Sequence, residues 1–405
     1  MIITFMLMYY RPESVSSFYL FDDLIEKCLD EHHEVLVITG NPVRGIDAKT
    51  RHDYRRLKNL RNETIGSLHI HRINAWFDTQ SGGIKRAFRY LSLVIGCSLK
   101  LLFAKSDVVY MQSDPPVIYA FLLSIVCRMK RIPLIYHIQD LAPDNLYQNL
   151  PPKRPLSYRI LNRIHRFSMR KCVKIIAISE DIKRMIHEKE IALEKIEVVH
   201  NWSYRSFGVK VNLPAEYDFL REIHPFIVLY GGNIGHVQNM EVILKAAERL
   251  KTENILILIV GDGIMRSALE TQIKTSDLTN VVLFPKLDME LSEALYHFPD
   301  VNLITLNSGI IYTAFPSKTS SCLKAGKPII ACVDLDSELS MLIKNNNLGI
   351  CVDTNDYVGL SEAILEIRND PSSYVKADFD RIYDNLFDRN RNIDRIYQYL
   401  IDSKK

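Results

Sequence analysis

Lys318 stands where three segments of the second half of the chain combine glycine, a helix start and positive charge. The first is the apolar run Phe226-Ile227-Val228-Leu229-Tyr230, followed by Gly231-Gly232-Asn233-Ile234-Gly235. The second is the apolar run 255–260, followed by Gly261-Asp262-Gly263. The third runs from Phe315-Pro316-Ser317-Lys318 to Ala325-Gly326-Lys327-Pro328. A strand that ends in glycines and turns into a helix aims backbone N–H groups at one point, and the helix dipole adds partial positive charge there. Three such loops point to a phosphate-bearing ligand. In the third, Ser317 reads as an N-cap and Gly326 as the helix stop. Lys318 then falls in the first helical turn, where a cation opposes the dipole, a local conflict that marks functional sites. The competing reading is a solvated surface lysine.

Two segments of the first half carry a different chemistry. Met8-Tyr9-Tyr10-Arg11-Pro12-Glu13 follows the first apolar run, and Tyr136-His137-Ile138-Gln139-Asp140-Leu141-Ala142-Pro143-Asp144 overlaps the fifth. Loop carboxylates usually cap helices or stay solvated. An acid at the C-terminal end of a strand in an α/β cleft is a better catalytic candidate, and Asp140, with His137 beside it, occupies that place.

The elements that must position these residues alternate almost throughout. Strands are expected at 2–7, 35–39, 68–73, 107–111, 134–138, 175–178 and 196–199, then at 226–230, 255–260, 281–284, 301–306, 329–333 and 349–352. Helical patterns lie between most of them, as at 18–31 and 158–170. This alternation predicts an α/β fold of two doubly wound parallel sheets, with the boundary in the turn-rich stretch 201–225. Ligands of such sheets sit beyond the C-terminal strand ends, so two facing sheets would enclose a cleft.

At 405 residues the chain is long enough for two cores, and 47% hydrophobic with 24% charged residues is ordinary for a globular protein. A net charge of +3 gives no argument for nucleic acid. Seven cysteines without a CxxC pair argue for a reducing compartment and against a zinc site. Residues 1–8 lack a basic leader and read as a buried strand rather than a signal peptide. The apolar stretches 91–104 and 117–127 are too short to span a bilayer, and burial is favoured over contact with a membrane surface. Residues 153–174 hold eight Lys/Arg and no acid, with Leu156, Ile160, Leu161, Ile164 and Phe167 at helical spacing. Arg159, Arg163, Arg166 and Arg170 are therefore candidate contacts to an anionic membrane surface, against the alternative of a solvated basic face.

In order and spacing, these segments resemble the retaining GT-B glycosyltransferases of glycosyltransferase family 4. The branch they resemble includes bacterial exopolysaccharide, O-antigen fucosamine and colanic-acid transferases. The resemblance covers nearly the whole chain. It rests on Tyr9-Tyr10-Arg11-Pro12-Glu13, Glu31-His32-His33-Glu34-Val35, His137-Ile138-Gln139-Asp140, Asn201-Trp202 and the three glycine segments.

The resemblance implies two Rossmann-like domains facing a central cleft. An acceptor-binding domain would span 1–205 and a nucleotide-sugar-binding domain 206–384, with a C-terminal helix at about 385–405 returning to the first. Gly232, Asn233, Gly235 and Lys318 would hold the diphosphate, aided by Pro316 and Ser317. Ser321 and the loop Gly261-Asp262-Gly263 would border the nucleoside. Asp140 would orient the sugar or assist acceptor deprotonation, and Tyr10, Glu13 and Asp144 would lie on the acceptor side. No metal or cofactor is implied, since the nucleotide sugar is a substrate and fixed protein charges stabilise the leaving diphosphate. The implied partners are a UDP-sugar donor, a polyprenyl-diphosphate-linked saccharide acceptor and the anionic inner face of the cytoplasmic membrane. Two departures stand out. Asn233 and Gln238 lie where many members carry an Arg and a Lys, and Ser321 replaces a glutamate that binds the ribose. A sugar-nucleotide epimerase and a catalytically weakened partner subunit are the alternatives. A dinucleotide dehydrogenase is disfavoured because no G-x-G-x-x-G follows the first strand.

Overall fold

The computed structural model describes residues 1–13, 18–76, 83–113, 117–147, 154–204, 213–374 and 376–404. They form two compact units, 1–200 with 390–405, and 201–389.

The first unit is built on an eight-stranded sheet: β1 (Ile2–Met6), β2 (Glu34–Gly40), β3 (Asn62–Ile65), β4 (Leu68–Ile73), β5 (Val108–Gln112), β6 (Leu134–Ile138), β7 (Lys174–Ala177) and β8 (Ile196–Val198). The strand order is β3-β4-β2-β1-β5-β6-β7-β8. All seven strands expected in this half are present. Central strands such as β6, buried at every residue, read as continuous apolar runs because helices cover both faces of a parallel sheet. Each such Ile or Leu contributes roughly 1.5–3 kcal/mol by leaving water. The eighth strand, β3, corrects the all-parallel expectation. Asn-Glu-Thr-Ile pairs antiparallel with β4 across a turn in which Gly66 has φ 58°. It was illegible because it is a mostly exposed edge strand with no apolar alternation.

Strand order reverses at β1, which pairs with β2 on one side and β5 on the other. Loops after β1, β5 and β6 therefore share the edge where ligands of such sheets bind. The helix Arg389–Asp402 packs on this unit. Its Tyr397 hydroxyl bonds His33 Nε2 at 2.9 Å, Asp394 pairs with Lys27 at 3.0 Å, and Asn392 Nδ2 donates to the His200 carbonyl at 2.9 Å.

The second unit holds β9 (Phe226–Asn233), β10 (Ile255–Asp262), β11 (Val281–Phe284), β12 (Val301–Thr305), β13 (Ile329–Cys332) and β14 (Gly349–Val352). They form a parallel sheet in the order β11-β10-β9-β12-β13-β14. Side chains alternate between its faces. Val228, Tyr230, Ile257 and Ile259 enter one core cluster, and Ile227, Leu229, Leu256 and Leu258 the other. Two glycine segments expected as loops are strand instead. Gly232 pairs with Gly261, and Asn233 with Asp262. No helix follows the first of them directly; the next begins at Met240, after Asn239 in a left-handed conformation. The seven cysteines are all free.

Candidate active site

The first two glycine segments form one surface because β9 and β10 run side by side to their ends. A Cβ at Gly261 would lie 1.8 Å from the Gly232 carbonyl oxygen, so only glycine lets the two backbones approach this closely. Gly232 has φ 142°, a region side chains avoid. Beyond the strands, Ile234 N–H donates to Asp262 O at 2.9 Å, and Gly263 N–H to Asp262 Oδ1 at 2.8 Å. Gln238 Oε1 accepts from Gly235 N–H at 3.1 Å and from Asn233 Nδ2 at 3.3 Å. The residues at the positions that depart from the family pattern thus form an uncharged clasp on their own loop.

The third segment delivers the charge. The helix Lys318–Ala325 starts directly after Ser317 and ends at Gly326, in a left-handed conformation. Ser317 holds the N-cap position but not its expected chemistry. Its backbone is already helical, at φ −58° and ψ −28°, and its side chain caps nothing. Pro316 O accepts from Thr319 N–H at 3.0 Å instead.

From the start of this helix the Lys318 ammonium reaches the β9 end. It lies 3.5 Å from the centroid of the Tyr230 ring, and a Cβ at Gly232 would meet it at 3.3 Å. Tyr230 is wholly buried, and its hydroxyl donates to Asn233 O at 2.7 Å. Lys318 Nζ is itself enclosed and has no hydrogen-bond partner among the described residues. Burial pushes it down to about 7, against an ordinary value of 10.5. A buried ammonium supported only by a ring face lacks the acceptor that an anion would supply.

One turn along the same helix, Ser321 Oγ donates to Glu293 Oε1 at 2.7 Å. Burial raises the Glu293 carboxyl above its usual range, while the Ser321 bond opposes that. A carboxylate from the helix Met289–Leu295 thus stands beside the position where the family pattern has a glutamate. Sequence reasoning missed Glu293 and Tyr230. Glu293 sits in an unremarkable helical run, and Tyr230 looks like one more core residue.

Tyr10, Glu13, His137, Asp140 and Asp144 belong to the first unit. After β1, the buried Glu13 carboxylate accepts from Val43 N–H at 2.8 Å and Arg44 N–H at 2.9 Å, with no hydrogen-bond partner for Oε2 among the described residues. Burial pushes its pKa up. Tyr10 is buried, and burial raises its phenol above the ordinary range. After β6, Asp140 is exposed, and Ser113 Oγ accepts from the backbone N–H groups of Gln139 at 3.1 Å and Asp140 at 3.4 Å. Ser113 follows β5, so it ties two adjacent strand ends together. His137 is buried within the sheet, hydrogen-bonded to Tyr110 through Nδ1 and to Gln139 through Nε2, at 2.9 Å for the latter. Desolvation drives it down to about 3, so it stays neutral. Asp144 pairs with Lys189 at 2.8 Å, both buried, and accepts from the Tyr158 hydroxyl at 2.8 Å.

The basic run forms the helix Leu156–Lys171; Lys153 lies outside the described residues. Arg159 and Arg163 are exposed. Arg166 and Arg170 both bond the Glu190 carboxylate, so the run does have a counter-acid, drawn from beyond its own segment.

Comparison with known proteins agrees with this architecture. Residues 20–202 match the family model Glycosyltransferase Family 4, and residues 219–378 the model Glycosyl transferases group 1. The chain is 24% identical over 372 residues to the putative colanic acid biosynthesis glycosyl transferase WcaI of Escherichia coli K12, covering 88% of this chain and 90% of WcaI. It is 26% identical over 241 residues to the probable glycosyltransferase WbjE of Pseudomonas aeruginosa, covering 57% of this chain and 58% of WbjE. The crystal structure of Anabaena HepE in complex with UDP superposes with a TM-score of 0.70 at 15% identity, covering 99% of this chain and all of that one. The chain thus carries a glycosyltransferase family 4 domain followed by a glycosyl transferases group 1 domain, on a GT-B fold.

Proposed function

We propose that this protein is a retaining glycosyltransferase that moves a hexosyl or N-acetylhexosaminyl group from a UDP-sugar to a lipid-linked saccharide in bacterial polysaccharide synthesis. The observation that carries the reading is the enclosed Lys318 ammonium, which has a ring face and a glycine surface beside it and no acceptor among the described residues. A diphosphate supplies that acceptor. Gly232, Asn233 and Gly235 line its approach, with Pro316 and Ser317 at the helix start. Ser321, with Glu293 behind it, and the segment Gly261-Asp262-Gly263 border the nucleoside. Fixed charge at the leaving diphosphate lowers the barrier because it needs no reorganisation as the bond breaks. Likeness to a protein crystallised with UDP supports the choice of nucleotide.

On the acceptor side, Asp140 is the exposed carboxylate and assists acceptor deprotonation. Neutral His137 fixes Gln139, and through it the strand end that bears Asp140. Tyr10 and Glu13 shape the neighbouring loop. Asp144 is engaged by Lys189 and serves the structure. The protein works on the cytoplasmic side, peripheral to the membrane, and the exposed Arg159 and Arg163 add electrostatic attraction to anionic lipid, while Arg166 and Arg170 share Glu190.

The uncharged Gln238 clasp favours a second reading, a weakened partner subunit that binds nucleotide without turnover. A thermal-shift panel of UDP, GDP, ADP and CDP tests the donor assignment, since a ligand of the folded state raises the melting temperature by mass action. Stabilisation by UDP, with UDP released from a UDP-sugar only when acceptor is added, supports transfer. Binding without release supports the weakened subunit. An altered UDP-sugar without acceptor identifies an epimerase, and no response to any nucleotide overturns the proposal.

A further inference from the structure

Of the two apolar stretches expected to be buried, 91–104 is only half so. It belongs to the helix Gly83–Phe103, whose inner side packs Leu93, Val94, Cys97 and Leu101 into the unit. Gly96 sets how closely it lies, since a Cβ there would meet Ile73 at 2.5 Å. Its outer side carries Ile84, Phe88, Leu91, Ile95, Leu99 and Phe103, all exposed, with Ile84 at 75% and Phe103 at 84%. Their successive spacings of three or four place them in one stripe along the helix. A soluble surface scatters its large apolar residues singly, and a continuous stripe of six needs an occupant. Trp76, 63% exposed, stands beside it, its backbone N–H donating to Ser92 Oγ at 3.1 Å.

Charge identifies the occupant. The helices Ile118–Lys130 and Leu156–Lys171 extend the same layer. Lys130 Nζ donates to Leu101 O at 2.9 Å, and Phe121 meets Phe167 with ring centroids 5.6 Å apart. The three helices together hold eleven Lys/Arg and no Asp or Glu; Arg89 is buried and Arg166 and Arg170 share Glu190, which still leaves an excess of cations. A second copy docked on this face would set cations against cations. An anionic bilayer offers opposite charge to the basic residues and apolar depth to the stripe. Among the described residues no helix is long and apolar enough to cross a membrane, so the stripe would lie in the interface plane.

We infer that the helix Gly83–Phe103 is the membrane-inserting element, burying its Ile84–Phe103 stripe and Trp76 at the headgroup boundary of an anionic leaflet. Arg159 and Arg163 of Leu156–Lys171 then act as its electrostatic flank. The inference deepens the proposed peripheral location but needs neither donor nor acceptor for its readout, so it stands or falls separately from sugar transfer.

The test uses the full chain with phosphatidylglycerol/phosphatidylcholine vesicles and with pure phosphatidylcholine vesicles. Trp202, the second of two tryptophans, is 1% exposed, so Trp76 reports the interface. Wild-type protein should float with anionic vesicles, its Trp76 emission shifting to the blue and being quenched by lipids brominated on the acyl chain. The variant Ile95→Gln/Leu99→Gln/Phe103→Gln should lose at least about tenfold in partition coefficient while keeping its melting temperature and circular dichroism. Should the triple variant misfold, Phe103→Gln alone and wild-type quenching carry the test. Flotation without Trp76 quenching, equal flotation of a folded stripe variant, or a dimer in sedimentation velocity that the variant dissociates would each overturn the inference.

Discussion

The Lys318 ammonium sits 3.5 Å above the centre of the Tyr230 ring, so among the described residues the buried cation faces a ring quadrupole and no hydrogen-bond acceptor. A ring face contributes on the order of 1–2 kcal/mol to a desolvated cation, less than an ion pair with hydrogen bonds. The site is therefore organised but electrostatically unsatisfied, and its pH behaviour follows from that.

Lys318 titrates near 7 in the unliganded protein, against 10.5 in an unfolded chain. A bound diphosphate favours the charged form and raises that value. Binding should therefore take up a proton at about pH 8, and UDP affinity should fall as pH rises from about 7 to about 9. Calorimetric titrations in buffers of different ionisation enthalpy measure the uptake directly. Without ligand the linkage runs the other way. The folded state disfavours charged Lys318 below pH 10.5, so Lys318→Met should raise the melting temperature at about pH 7.

Asp140→Asn should cut transfer at least about tenfold while leaving UDP affinity unchanged, because the role proposed for the side chain is on the acceptor and not on the nucleotide. Comparing turnover with UDP titration separates the two. Full turnover in the variant would move the chemistry to Glu13.

Asp144→Ala should destabilise the protein by about 3–5 kcal/mol, the usual cost of leaving a buried ion without its partner, here Lys189. Urea denaturation reads the loss. A stable variant that lacks only activity would return Asp144 to the acceptor site.

Gly261→Ala should lower stability by roughly 1–3 kcal/mol or more, since the new methyl group meets the Gly232 carbonyl at 1.8 Å and backbone must move. Gly83→Ala is the control. A Cβ there meets nothing within 4 Å, and stability should hold or rise. Equal Tm values for the two variants would contradict the account of the paired strand ends.

The sheets were legible because parallel strands buried on both faces, such as β6 and β10, are continuous apolar runs between helical patterns. β3 was not, since an exposed edge strand leaves no hydrophobic signal. Lys318 was legible by the helix rule it breaks. What escaped was every feature that depends on distant residues meeting. Glu293 reaches Ser321 from another helix, Glu190 pairs with two arginines of the basic run, and Lys189 engages Asp144. The exposed stripe of Gly83–Phe103 escaped for a related reason. A helix apolar on most of its circumference does not reveal which side meets the sheet, and that is settled by packing, with Gly96 against Ile73.

Calorimetric titration of UDP into wild-type protein and Lys318→Met at about pH 7 tests the central claim most directly. The account predicts saturable binding to one site in the wild type and a loss of roughly 1–3 kcal/mol in the variant, the range for a removed charge-assisted hydrogen bond. Equal affinities in the two proteins, or no binding of UDP by the wild type, would contradict it.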